Sequence, residues 1–207
     1  MSIDPARFAA FAPNAIPGTC AALQAAATQY GLVEPLVLAH WLGQMSVESN
    51  GFKTMAENLN YSPQGLIATF GTKRISQADA NTFGRVPGRA ANQNAIANIV
   101  YGGAFGLKNL GNNQPGDGWR FRGGGFKQIT GRANYRQAGH EDDPDTLRTD
   151  VAASSNAAAN FFVEHGCTAP ALQDDVRGVT KIVNGGFNGL DARIAATAAA
   201  KKVVGLA

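Results

Sequence analysis

The sequence predicts a mainly α fold with at most one short β element, and three observations carry that expectation. Apolar residues recur at steps of three and four through most of the chain. Proline, serine and aspartate stand where helices would begin, and glycine stands where they would end. Two stretches, 20–30 and 190–204, are rich in alanine, the second so much that propensity alone favours a helix. The 207 residues are 44% hydrophobic, enough for a substantial core in one domain, or one domain with two lobes. The apolar runs are too short to span a bilayer, so a globular protein without stable membrane insertion is expected.

Asp4 and Pro5 can open a first helix that buries Phe8 and Phe11, and Ile16-Pro17-Gly18 then breaks the chain. The alanine-rich helix at 20–30 stops at Gly31. Pro35 starts a further helix, closed just beyond Glu48 by Gly51. Ser62 and Pro63 have the cap and first-position chemistry of a helix reaching Phe70, and Ser76 with Asp79 resembles a capping box. Residues 89–100 put Ala91, Ala95, Ile96 and Ile99 on one helical face. From Tyr101 to Gly125 glycines crowd among Asn, Pro and Asp, which predicts an extended loop region where backbone can approach a ligand. Trp119 and Phe121 in that region offer apolar area to bury or a face for a sugar. A short strand is expected at 125–130, then helices at 150–165 with Asp150 as cap, at 175–183 and at 190–204.

The chemistry concentrates in Glu34–Ser62, EPLVLAHWLGQMSVESNGFKTMAENLNYS. Val37, Trp41, Met45 and Glu48 follow at helical spacing, placing a carboxyl on the apolar stripe in the last turn. Apolar neighbours and the negative end of the helix dipole would both favour its protonated form. Nine residues on, Glu57 lies in the polar ENLNYS loop, where a carboxylate is more easily kept ionised. Unequal environments for two carboxyls are what glycoside hydrolysis requires. The alternative for Glu48 is a solvated or salt-bridged side chain at a helix end.

Four blocks in order, AHWLGQMSVESNGF, ENLNYSPQGL, GDGWRFRGGGFKQITGRANY and VNGGFNGLDAR, resemble the glycoside hydrolase family 19 domain in its compact phage endolysin form. The resemblance implies a lysozyme-like, two-lobed domain over 1–207 with a substrate cleft. The larger lobe would be about 1–63 and 116–207, the smaller about 64–115. It implies inversion at the anomeric carbon, with Glu48 as the acid and Glu57 as the base that activates water. Tyr61, Ser62, Tyr101, Gln128, Thr130, Asn184 and Arg193 match positions that bind substrate or support the carboxylates. For Tyr61 and Ser62 binding and structural roles stand level. Thr130 could instead cap the next helix, and Arg193 could be a surface arginine. Gln128 and Thr130 would share a face of the expected strand.

Three positions depart from the family pattern. Val47 stands where a histidine often precedes the first glutamate, and Gly124 and Ala104 stand where arginines are usual. The first removes a polar neighbour of Glu48, and the two missing arginines bear on the charge network around the second carboxylate.

The resemblance implies no cofactor and no metal, and a substrate that is either chitin or the β-1,4-linked glycan of peptidoglycan. The compact form implies peptidoglycan glycan strands as the partner, with synthesis in a host cytoplasm, because no secretory leader is legible at the start. Action on the wall would then depend on a membrane-permeabilising partner and end in host lysis. A monomer is expected. Chitinase activity, or a non-catalytic wall-binding protein of the same fold, are the alternatives.

Eighteen basic against fifteen acidic residues leave a net charge of +3, and the pI is near 9.0. The excess suits an anionic wall or is an ordinary surface balance. The absence of a basic run interleaved with aromatics argues against nucleic acid. The three histidines, His40, His140 and His165, lack zinc-motif spacing, which argues against a metal-dependent amidase. Cys20 and Cys167, without CxxC spacing, read as buried or free thiols, with a disulfide between them as the alternative.

Overall fold

Short-range capping chemistry sets many of the helix starts. In the computed structural model, which describes residues 2–206, Asp4 accepts the Arg7 N–H and Pro5 opens α1 (Pro5–Phe11). Left-handed Gly18 precedes α2 (Thr19–Gln29), and Pro35 opens α3 (Pro35–Glu48). Ser62 and Ser76 accept the N–H groups of Gly65 and Asp79 to cap α4 (Pro63–Phe70) and α5 (Gln77–Phe83). Asn92 caps α6 (Gln93–Val100), which begins later than expected because residues 86–89 form a tight turn closed by Val86 and Arg89. There follow α7 (Gly103–Phe105), continuing into a π-helical turn at Gly106–Leu110, then α8 (Asp117–Arg120) and α9 (Arg132–Gln137). The chain ends with α10 (Thr146–Thr149), α11 (Val151–Glu164, capped by Asp150), α12 (Thr168–Leu172), α13 (Val176–Asn184, capped by Asp175) and α14 (Leu190–Val203).

Two expectations are corrected. The glycine-rich stretch from Tyr101 is not extended throughout: α7, the π turn and α8 occupy much of it. Tertiary hydrogen bonds hold these short turns, Asn112 Nδ2 donating to the Tyr101 carbonyl and Trp119 N–H to Asn98 Oδ1. The strand at 125–130 does not form. Residues 125–128 turn, with Gln128 left-handed at φ 56°, and β structure among the described residues is limited to isolated bridges, including Gly124 to Ile129.

The chain divides into two compact units, one of Met1–Met55, Gly125–Gln128 and Thr146–Ala207, the other of Ala56–Gly124 and Ile129–Asp145. The second takes in residues 56–63, 116–124 and 129–145, which the expected lobes place in the larger one, about 1–63 and 116–207. Leu59 is fully buried in its core, and Phe121 is buried with its ring 5.5 Å from that of Tyr135.

In the first unit, α3 is buried from Val37 to Met45, so its surroundings are other helices on every side. Gly43 is where α14 comes closest: a Cβ there would lie 2.7 Å from Thr197 Cα and 2.8 Å from its nitrogen. Phe8, Phe11, Phe52 and Phe126 pack edge to face or tilted beneath it, with centroids 5.2 to 6.5 Å apart. Cys20 and Cys167 are free, and burial pushes the Cys167 thiol up to about 12.

In the second unit, Leu59, Leu66, Ile75, Ala80, Ile96, Ala97 and Val100 form the core with Tyr101. A polar tie supports it: buried Asp117 pairs with Arg132, which also reaches Glu141, and Arg136 closes on the same glutamate.

Candidate active site

Glu48 is the last residue of α3, and the turn after it is built to stop the helix there. Ser49 Oγ donates to the Met45 carbonyl at 2.6 Å and accepts the Phe52 N–H at 3.0 Å. Asn50, Gly51 and Phe52 then take three left-handed conformations in succession, φ 52°, 72° and 59°. That backbone is costly for a phenylalanine. Burial of the Phe52 ring in the aromatic cluster offsets the cost and fixes the end of α3.

The apolar setting expected for Glu48 is corrected by a residue 145 positions away. Arg193, in the first turn of α14 and only 3% exposed, donates from Nη2 to Glu48 Oε1 at 2.6 Å. Its Nη1 donates to Gln44 Oε1 at 2.7 Å and its Nε to the Asn188 carbonyl at 3.1 Å. Gln44 Nε2 donates in turn to Thr180 Oγ1 at 3.0 Å, and Thr180 donates to the Val176 carbonyl. A side chain of α3 and the Asn188 carbonyl thus hold one guanidinium, with α13 steadying Gln44, and the guanidinium holds the carboxylate. No group among the described residues hydrogen-bonds Glu48 Oε2, the oxygen free to exchange a proton. Lys127 adds a second positive charge: its ammonium stands 4.4 Å over the Phe161 ring, burial lowers its pKa and the charge of Glu48 opposes that shift.

Glu57, in the second unit, is held by neutral donors instead. Tyr101 Oη donates to Oε1 at 2.5 Å, and Gly123 N–H donates to Oε2 at 3.0 Å. The Glu57 N–H also donates to the Gly123 carbonyl, locking backbone and side chain to one residue. Burial first, and then the charge of Glu57, push the Tyr101 phenol well above its ordinary value, so it stays protonated and donates. Behind Tyr101, Arg74 donates from Nε and Nη2 to the Val100 carbonyl at 3.1 and 2.8 Å. Its guanidinium lies 3.8 Å from the Phe105 ring centre and 5.6 Å from that of Tyr101. This network anchors Glu57 in a chain with Gly124 and Ala104 at the two positions where the resemblance leads to an expectation of arginine.

The other expected residues fall out variously. Asn184 ends α13 with Oδ1 buried and lacking a hydrogen-bond partner. Gln128 turns back on its own loop, Nε2 donating to the Gly125 carbonyl at 2.9 Å, so strand alternation does not pair it with Thr130. Thr130 is not the cap of α9, a position Gly131 occupies; its carbonyl accepts from Asn134 Nδ2. Ser62 caps α4, and the Tyr61 ring packs edge-on against Phe70 at 6.0 Å. Trp119 carries the Arg122 guanidinium over one face at 3.7 Å. The structure therefore joins Glu48 to Arg193 and Glu57 to Tyr101. Sequence reasoning missed Gln44, Thr180, Gly123, Arg74 and Lys127. A signal existed for Gln44 alone, a polar residue one helical turn before Glu48 in a largely apolar helix.

Among the described residues, no three His, Cys, Asp or Glu side chains gather in a group that could hold a metal ion. No helix among them is long and apolar enough to cross a membrane.

No protein-family model matches the chain. A Haemophilus influenzae protein described as a glycosyl hydrolase family 19 domain-containing protein is 33% identical over 197 residues, covering 93% of this chain and 92% of the relative. Among solved structures, chitinase C from Streptomyces griseus superposes with a TM-score of 0.65 at 15% identity, over 98% of this chain and 92% of its own. A bacterial family 19 chitinase gives 0.64 at 13% identity, over 99% and 96%. The class IV chitinase from Zea mays gives 0.56 at 14%, over 95% and 90%. At such identities the structures speak to the fold, which is the mainly helical, lysozyme-like fold of these chitinases, while the closer sequence match over nearly the whole chain speaks to descent. The chain belongs to glycoside hydrolase family 19, and is a glycoside hydrolase.

Proposed function

We propose that this hydrolase is an endolysin-type enzyme that cleaves β-1,4 bonds in the glycan of bacterial peptidoglycan by acid and base catalysis with inversion, and so lyses a host cell. Glu48 delivers a proton from Oε2 to the glycosidic oxygen. Arg193, fixed by Gln44 and the Asn188 carbonyl, keeps the carboxyl in place and stabilises the charge left on it. Glu57, fixed by Tyr101 and Gly123, draws a proton from the water that attacks the anomeric carbon. The observation that carries this reading is that each of the two glutamates is immobilised by its own dedicated partners.

Synthesis in the host cytoplasm, passage through a membrane opened by a partner protein, and action as a monomer complete the proposal. Tyr61, Ser62, Gln128, Thr130 and Asn184 are assigned to glycan contact or to support of it, with no cofactor. The second reading, a chitinase, is favoured by the solved structures of similar fold, which are named as chitinases.

Digestion of purified peptidoglycan and of colloidal chitin by wild type and Glu48→Gln, with mass spectrometry of borohydride-reduced fragments, tests both. Reduced muramic acid or glucosamine ends from the wall, made only by the wild type, support the proposal and identify the bond. Cleavage of chitin alone supports the second reading. Cleavage of neither, with the wall bound equally by both proteins, favours a binding protein of the same fold.

A further inference from the structure

The Asn184–Gly189 loop carries an aromatic side chain that nothing in the preceding mechanism uses. Phe187 is 41% exposed. Isolated exposed apolar residues are ordinary on protein surfaces and need no explanation. Three features set this one apart.

The first is where its loop is tied. Arg193 donates both to the Glu48 carboxylate and to the carbonyl of Asn188, the residue after Phe187. A Cβ on Gly189 would lie 4.0 Å from Val47 Cγ1, so the loop rests against the last turn of α3. The aromatic is therefore anchored to the same guanidinium as the candidate acid.

The second is that its ring is oriented. The Arg177 guanidinium lies 3.9 Å from the ring centre, a contact that pins one face and leaves the remainder open to solvent. Left-handed Gly185 and Gly189 bracket the loop, so the backbone on either side of the ring is fixed by its turns.

The third is an unsatisfied polar neighbour. Asn184 Oδ1, three residues before Phe187, is buried without a hydrogen-bond partner. An acceptor in that state has lost water and gained nothing for it unless a ligand donates to it. An apolar flat face in the same loop as an unsatisfied acceptor matches a pyranose ring, which presents C–H groups on its faces and O–H or amide N–H groups around its edge.

We propose that Phe187 is a stacking platform for a hexosamine ring of the glycan, a binding contact in the first unit beside Glu48. Asn184 supplies the edge contact and Arg177 sets the angle of the aromatic plane. The proposal rests on Glu48 acting on a glycan, and the experiment separates the two.

Wild type, Glu48→Gln, Phe187→Ala, Phe187→Leu and Phe187→Trp are compared on whichever polymer the wild type digests, wall or chitin, reading KM, kcat and melting temperature. The platform predicts that Phe187→Ala raises KM about three- to tenfold, the range for loss of one aromatic contact, with kcat nearly unchanged. Phe187→Leu, which keeps apolar cover for Arg177 but has no flat face, should behave like Phe187→Ala, and Phe187→Trp should restore binding. Equal KM for wild type and Phe187→Ala overturns the platform, as does wild-type behaviour of Phe187→Leu. If the wild type digests neither polymer, or Glu48→Gln digests as well as the wild type, the reading of Glu48 fails and the platform falls with it.

Discussion

The two units secure their carboxylates by opposite means. In the first, a charge holds Glu48: Arg193 is buried and takes one oxygen, and no hydrogen bond to the other is found among the described residues. In the second, dipoles hold Glu57: a phenol and a backbone N–H take both oxygens, and the Arg74 guanidinium stands behind the phenol. A group that must hand over a proton needs a free oxygen and a nearby positive charge to receive the resulting carboxylate. A group that must orient water needs a fixed direction more than a strong field. The difference in anchoring is one that the proposed roles would use.

Glu48→Gln breaks the comparison on its first side. It preserves side-chain volume and an oxygen for Arg193 but cannot protonate a leaving group. Hydrolysis should fall about 10²- to 10⁴-fold with the fold intact, measured as release of reducing ends alongside circular dichroism. Retention of most activity would remove Glu48 from the chemistry.

Arg193→Met tests whether charge is the first unit's device. The change leaves Glu48 and Gln44 without their donor at a site that is 4% exposed on the arginine side chain and 13% on the glutamate. Unfolding free energy should drop by about 3 to 5 kcal/mol in denaturant titration. Arg193→Lys should recover little, because one ammonium cannot reach Glu48, Gln44 and the Asn188 carbonyl in the geometry of a planar fork. Full recovery by lysine would show that only the charge matters.

Tyr101→Phe is the corresponding cut in the second unit and should do less. It deletes the donor to Glu57 Oε1, while Gly123 still holds Oε2 and the ring still packs beside Phe70. A hydrogen bond to a charged group contributes about 1.5 to 3 kcal/mol, so stability should fall by no more than that and activity by roughly tenfold. A loss as large as that of Arg193→Met would erase the contrast between the two anchoring modes.

The sequence carried the contrast only in part, and the reason lies in the range of the interactions. Asp4, Ser62, Ser76 and Asp150 cap helices through N–H groups three residues ahead, so those starts are legible from neighbours alone. The mainly α class and the helix ending on Glu48 followed from the same short-range signals. Arg193 was different: set in an alanine-rich helix, it has the local pattern of a surface residue, and only the packing of α14 on α3 at Gly43 buries it. The region after Tyr101 failed for a similar reason, since Asn112 and Asn98 hold its short turns from outside them. Gln128 failed because one left-handed residue ends the alternation that an extended segment would need.

A smaller effect separates the units in acid. In the first, His40 is fully buried and Nε2 meets Asp174 at 2.9 Å, while Lys201 holds the other oxygen of that aspartate. Burial lowers the His40 pKa, and it outweighs the opposing pull of Asp174. The unfolded chain, with a histidine near 6.5, then binds a proton that the folded chain refuses. Stability from this group is complete above about pH 6.5 and is lost as pH falls toward the folded value. Asp117 in the second unit behaves otherwise. Burial raises its pKa, but the bonds from Arg132 and from the Gln114 and Asn113 N–H groups prevail and leave it lowered. Its contribution persists down to the ordinary carboxylate range near 3.9 and is lost only below that. Between pH 7 and 5, amides of α3 and α14 should lose hydrogen-exchange protection, corrected for intrinsic rates, while those of α8 and α9 keep theirs. His40→Gln should abolish the difference. Equal loss in both units would mean that the buried histidine is not what sets their response to acid.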